Sequence, residues 1–147
     1  MSSIEGDIMV QKVHEVMTSP AVTVDKQARL AEAARLMRDR DIGDLFVLDG
    51  GQLHGMITDR DIVVRAAAES RDMSTTPVED VCSHHVEDVN VNDDANQAVM
   101  LMRARAVRRV PVTDGDRLVG VVALSDMAVE RDDRSALADI SVATPNR

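Results

Sequence analysis

From Val16 to Met127 the alternation of apolar and polar positions runs through one pattern twice. In KQARLAEAARLMRDR, Lys26–Arg40, the apolar residues Leu30, Ala33, Ala34 and Met37 recur at three- and four-residue spacing, which predicts an amphipathic helix. In DANQAVMLMRAR, 65 positions further on, Ala95, Ala98, Val99 and Met102 repeat that spacing. Each helix is followed by a short apolar run, LFVLD or VPVTD, that reads as a buried strand. A turn comes next, Asp49-Gly50-Gly51 or Asp114-Gly115-Asp116, with glycine available for positive φ. A second strand, QLHGMI or RLVGVV, leads into a helical segment beginning near Asp59 or Leu124. Val22–Val24 and Val86–Val91 read as short strands ahead of the first helices. Sliding the chain by 65 positions aligns Val16–Ile62 with Val81–Met127 at 13 identities in 47 positions. Each copy is strand–helix–strand–strand–helix, an α+β unit too small for a strong core of its own, so two are expected to pack together.

Met102 falls on the core face of its helix, whereas Met100 points elsewhere and offers a contact for a second copy of the chain. The polar stretch AESRDMSTTP, Ala68–Pro77, reads as the linker between copies. The final VERDDRSALADISVATPNR begins as a helix extension and is expected to fray after Ile140.

Composition narrows the functional classes. One phenylalanine and no tryptophan or tyrosine leave the core to aliphatic residues and methionine, and deny the chain a stacking platform for single-stranded nucleic acid. A formal net charge of −9 opposes nonspecific binding to nucleic acid or anionic membranes, while leaving room for a small anion on a local arginine cluster. No apolar run reaches the roughly 18 residues of a membrane span, and the mixed-charge start MSSIEGDIMVQKVHE has no apolar export core. The single cysteine, Cys82, has no internal disulfide partner, which suits a reducing cytoplasm.

The segments VMTSPAVTV, AARLMRDRDIGDLFVLD and above all LHGMITDRDIV, with VRRVPVTDGDRLVGVVALSDM in the second half, resemble the CBS-domain family. The likeness spans roughly Val13–Ala128 and is that of a tandem pair, similar to small actinobacterial hypoxia- and stress-response proteins. It implies two repeats of β-α-β-β-α packed about a pseudo-two-fold axis, at 13–68 and 78–128. Around them lie a flank at 1–12, a linker at 69–77 and a tail at 129–147. It further implies regulation by an adenosine-containing ligand (AMP, ADP, ATP or S-adenosylmethionine) in clefts between the repeats, and a homodimer that buries the amphipathic helices. Inosine monophosphate dehydrogenase carries an inserted pair of such domains, but the large catalytic barrel of that enzyme has no counterpart in this chain.

The chemistry at the strand–helix junction can be argued from the residues themselves. A nucleoside presents a cis-diol, and an ionised aspartate can accept from both hydroxyls. A phosphate needs donors, which hydroxyls, guanidinium groups and the first turn of a helix supply. In ITDRDI, Thr58 stands where the strand ends and Asp61 about one turn on, so Asp61 is the ribose candidate and Thr58 and Arg60 are phosphate candidates. Thr-x-x-acid is equally a capping box, with Thr58 and Asp61 satisfying backbone donors. The second copy has Ala123 in place of the threonine yet keeps Asp126, which favours a separate role for the aspartate; Ser125 can cap or replace the hydroxyl.

Ahead of the strands, Gly43-Asp44 in one copy corresponds to Arg108-Arg109 in the other, and a phosphate prefers the arginines. Ile42, Leu45, Val107 and Val110 supply apolar surface for an adenine. Phe46 occupies the position where the family often has proline, as Pro111 does in copy two, so two inequivalent sites are expected.

Other chemistry is sparser. Cys82 with His84-His85 is a possible metal group, but adjacent histidines are not a closed set and a loop pair is the simpler reading. His14 and His54 are isolated along the chain, His54 on a strand. No Walker loop, GxSxG elbow or HExxH helix is present, and Asp93-Asp94 and Asp132-Asp133 read as solvated helix ends. The expected function is that of a non-enzymatic sensor, without cofactor or resident metal, read by a protein partner. The alternative is a dimeric scaffold with vestigial clefts.

Overall fold

The computed structural model describes residues 11–125. Asp126, the tail and the first ten residues therefore lie outside the described residues. The chain divides into two compact units, a central one at Val22–Val86 and a two-segment one made of Met1–Ala21 with Glu87–Arg147.

The central unit runs β1 (Thr23–Asp25), α2 (Leu30–Arg40), β2 (Asp44–Asp49) and β3 (Gln52–Thr58). A single helical turn follows, α3 (Asp59–Asp61), which widens into a π-helix at Ile62–Ala67. β1 lies parallel to β2, and β2 antiparallel to β3, with a bulge between Val47 and Leu48. The core joins Leu30, Ala33 and Met37 of α2 to Val24, Leu45, Val47 and Ile57 of the sheet. Ala34, expected on the core face, is exposed; Leu36 packs on the other flank of the stripe in its place, since it has the larger apolar surface to bury. Asp41 ends α2 in the left-handed conformation (φ 55°, ψ 48°), with its N–H donating to the carbonyls of Arg38 and Met37.

The polar stretch expected as a linker is built into this unit. Helix α2 has no side-chain cap at Arg29, so its first N–H groups need other acceptors. The Leu30 and Ala31 N–H groups donate to the carbonyls of Thr76 and Met73, each at 3.0 Å. The Arg29 guanidinium donates to the Thr75 carbonyl at 3.2 Å. Beyond it, Val78, Val81 and Cys82 complete the core around a 3-10 turn at Val78–Asp80.

The two-segment unit contains α1 (Val13–Val16), β4 (Val89–Asn90), α4 (Ala95–Arg105), β5 (Arg109–Asp114) and β6 (Arg117–Ala123), with a helix starting at Leu124. The strand expected over Val86–Val91 is confined to Val89–Asn90. The 65-residue repeat holds at the level of single hydrogen bonds. The Val78 N–H donates to Ala28 O (2.7 Å), and 65 positions away the Val13 N–H donates to Asp93 O (2.8 Å). The Leu30–Thr76 bond is matched by Ala95 N–H to Gln11 O (2.6 Å). The bulge recurs between Val112 and Thr113, and the left-handed helix end at Ala106.

Val13 and Val16 open the first repeat in sequence but pack in the core of the second repeat's strands, with Val89, Val110, Val112 and Val122. Val78 and Val81, which open the second repeat, pack with the first. Met102 is fully buried, and Met100 is 62% exposed.

Candidate functional site

At the end of β3, Thr58 is extended (φ −116°, ψ 164°) and the chain turns into α3. The capping box is formed: the Asp61 N–H donates to Thr58 Oγ1 and the Thr58 N–H donates to Asp61 Oδ2, both at 3.0 Å. The Asp59 N–H donates to the Gly43 carbonyl at 2.9 Å, drawing the start of β2 onto the same turn. A Cβ at Gly43 would lie 2.9 Å from Asp59 Oδ2, the mobile end of an exposed side chain. Asp44 faces Thr58 across the β2–β3 pair. The structure therefore brings Gly43, Asp44, Thr58 and Asp61 together, with Ile42 half-buried and Arg60 exposed on adjacent backbone. Leu45 is not among them; it is 1% exposed and belongs to the core.

Capping leaves chemistry to spare. Thr58 accepts one hydrogen bond through Oγ1 and keeps its own O–H to donate. The Asp61 carboxylate, with its side chain 19% exposed, uses Oδ2 for the cap, and its Oδ1 stands 3.9 Å from Arg65 Nε on the π-helix. The Arg65 guanidinium also donates to the Val81 carbonyl at 3.2 Å. Arg65 was not singled out in the sequence, although its i,i+4 spacing from Asp61 is a recognisable pairing signal. With the Asp59 and Asp61 N–H groups already engaged, an anion at this turn would rest on side chains more than on backbone.

In the two-segment unit the same frame recurs with different side chains. The Leu124 N–H donates to the Arg108 carbonyl at 2.8 Å, as Asp59 does to Gly43. Ala123 brings no hydroxyl, Ser125 is exposed in the first turn, Arg108 is exposed and Arg109 half-buried on β5 opposite Ala123. Val107 is half-buried, whereas Val110 and Pro111 are buried, Val110 in the core. Asp126 lies outside the described residues.

A second group of side chains occupies the central unit. Ligand atoms of His54 on β3, and of Cys82 and His84 beyond the 3-10 turn, all lie within 4.8 Å of one another. The His54 and His84 rings meet edge to face, centroids 4.9 Å apart. His54 Nε2 is buried with no hydrogen-bond partner. Burial pushes the Cys82 thiol above its ordinary pKa, and the negative charges of Asp61 and Glu79 add to the rise while Arg65 opposes it.

The approach depends on Gly55. Met56 and Ser83 exchange backbone hydrogen bonds of 3.0 and 2.8 Å, and a Cβ on Gly55 would sit 3.1 Å from the Ser83 carbonyl carbon, closer still to its oxygen, and 3.4 Å from Cys82 Sγ. His85, expected beside His84, is not in the group, and His54, which looked isolated, is. Their meeting is a long-range strand contact with no local spacing to announce it.

The CBS-domain family model matches residues 13–67 and 78–132. The chain belongs to the CBS-domain family. As a tandem CBS pair it is a regulatory module by class. It is 39% identical over 136 residues to the CBS domain-containing protein YhcV of Bacillus subtilis, covering 90% of this chain and 96% of that one. It is 36% identical over 115 residues to Hypoxic response protein 1 of Mycobacterium tuberculosis, covering 78% and 80%. A crystal structure of Hypoxic Response Protein I with two coordinated zinc ions superposes with a TM-score of 0.74 at 34% identity, over 82% of this CBS pair and 98% of that chain. The CBS-domain pair of protein MJ0100, solved with 5-methylthioadenosine and S-adenosyl-L-methionine, has a TM-score of 0.72 over 86% and 99%. Its 23% identity speaks for the fold alone. Among the described residues no helix is long and apolar enough to cross a membrane.

Proposed function

We propose that this CBS pair is a non-catalytic cytoplasmic sensor that binds an adenosine-containing ligand, AMP, ADP, ATP or S-adenosylmethionine, at its strand-to-helix junctions and signals its state to a protein partner. The observation that carries the reading is the Thr58–Asp61 turn, where capping fixes an aspartate side chain yet leaves acceptor positions open beside a donor hydroxyl. Asp61 takes the ribose diol, Thr58 and Arg60 the phosphate, and half-buried Ile42 flanks the base. Gly43 and Asp44 form the adjoining backbone. In the second unit Asp126 takes the ribose role, Arg108, Arg109 and Ser125 the phosphate and Val107 the base, so the more cationic site prefers the more highly charged nucleotide. The MJ0100 pair supports the fold's capacity for such ligands without naming the one used by this chain.

Calorimetry with AMP, ATP, S-adenosylmethionine and, as a base control, GMP tests this. Adenosine compounds bind, and Asp61→Asn weakens one site by about 10- to 100-fold, the worth of a charge-assisted hydrogen bond. No binding by any adenosine compound at millimolar concentration sinks the proposal.

Exposed Met100 (62%), Val63 (60%) and Val64 (45%) support a second reading, a ligand-independent homodimeric scaffold. Light scattering decides whether the dimer exists and whether Met100→Glu dissociates it. A dimer that captures its partner equally with and without nucleotide favours the scaffold.

A further inference from the structure

We propose that His54, Cys82 and His84 form a binding site for one zinc ion, with a fourth position open to water or an external ligand. Two imidazoles and a thiolate are the donor set that a borderline-soft ion such as zinc takes. Ligand atoms around a tetrahedral zinc stand roughly 3.3–3.8 Å apart, from bonds of about 2.0–2.3 Å. The three donors already lie within 4.8 Å of one another, and the exposed His84 side chain can close the difference by rotation.

A further observation points to a cation. His54 Nε2 is buried without any partner, an arrangement that folded proteins avoid. A metal bond satisfies that atom.

The repeat itself supplies the control. Shifted by 65 positions, His54, Cys82 and His84 become Val119, Met17 and Ser19. In the two-segment unit the same bridge closes, with Thr18 and Val121 exchanging backbone hydrogen bonds of 2.8 and 2.9 Å. There the Ser19 hydroxyl donates to the Val119 carbonyl at 2.9 Å. The frame therefore closes without an imidazole or a thiol, and packing alone does not require this donor set in the central unit. Loading the site exchanges the Cys82 S–H bond for an S–Zn bond and releases one proton to water, with no change of oxidation state.

The test uses the full chain, stripped with chelator and titrated with Zn²⁺ or, for its spectrum, Co²⁺. One ion binds per chain and survives desalting, and the cobalt form shows a thiolate charge-transfer absorption. Losing a second-shell partner costs 10- to 100-fold in affinity, so His84→Ala and Cys82→Ser each weaken binding by more than about 100-fold. His85→Ala and His14→Ala leave it unchanged. His84 is exposed, so its variant stays informative even where Cys82→Ser perturbs folding; circular dichroism checks both. No retained ion overturns the site. So does a charge-transfer band that persists in Cys82→Ser, or equal losses in His84→Ala and His85→Ala.

Discussion

A single methyl group placed on Gly55 tests the architecture most directly. In Gly55→Ala the new Cβ meets the Ser83 carbonyl, with the carbon at 3.1 Å, and Cys82 Sγ at 3.4 Å. The obstacle is backbone, so no rotamer relieves it; ordinary carbon separations of about 3.5–4.0 Å require the 78–83 segment to withdraw. Withdrawal stretches both Met56–Ser83 hydrogen bonds, each worth about 0.5–1.5 kcal/mol net. Overpacking at the buried Val81–Cys82 edge adds about 1–3 kcal/mol. The expected loss is about 2–6 kcal/mol.

Gly120→Ala is the internal control. Its Cβ meets Met17 Sδ and the backbone Thr18 O at 2.8 Å each; the methionine can swing aside and the backbone approach is less close than at Gly55, so a smaller loss of about 1–3 kcal/mol is expected. Urea unfolding gives the energies, and hydrogen exchange at the Met56 and Ser83 amides locates them. A Gly55→Ala loss below about 1 kcal/mol, or retained protection of both amides, would refute the reasoning.

Thr58→Val removes the cap acceptor and should cost about 1 kcal/mol, while Thr58→Ser stays within a few tenths; equal costs in thermal melts would mean that the box contributes nothing. Leu30→Ala empties a fully buried position of the central core and should cost about 2–5 kcal/mol by urea unfolding. A near-neutral result would show that the unit collapses to accept alanine, the residue already at the equivalent Ala95. The Ser74 hydroxyl and N–H, at 2.7 and 2.8 Å, hold the Asp72 carboxyl below its usual 3.8. A depressed folded-state value means that the stabilisation is complete above the ordinary carboxylate range and is lost as pH falls through the lowered value. A carboxyl-carbon NMR titration should find Asp72 below 3.8, and Ser74→Ala, which keeps the backbone donor, should raise it part of the way back; an undisplaced wild-type value contradicts the contact.

The helices and strands were legible because their signals are local. The spacing of Leu30, Ala33 and Met37 and the glycine turns forecast elements that the structure places within a few residues. The register of 65 was legible too, and it extends further than identities imply, to matched carbonyl acceptors such as Gly43 and Arg108. Ala34 was misplaced because a small residue contributes little to which way a helix turns. Ala68–Pro77 looked like a tether because its side chains are polar, whereas its carbonyls are what the α2 N-terminus needs. At Thr58 and Asp61 the sequence left capping and ligand binding open, and the formed cap is compatible with both. His54 was invisible as a site residue because its neighbours arrive through a strand contact that no spacing rule encodes.

The placement of Val13–Thr18 has a consequence for how the chain comes off the ribosome. The central unit is one continuous stretch, and its closing contact, Met56 with Ser83, spans few residues. It can complete itself while later strands are still being made. The other unit holds its first apolar helix unmatched until Val91–Ala95 emerge, and its closing contact waits for Val121 to receive Thr18. That long-range closure should form last. A nascent chain halted between the two events carries a finished unit and a waiting N-terminal segment, Val13 and Val16 still lacking the strands that bury them.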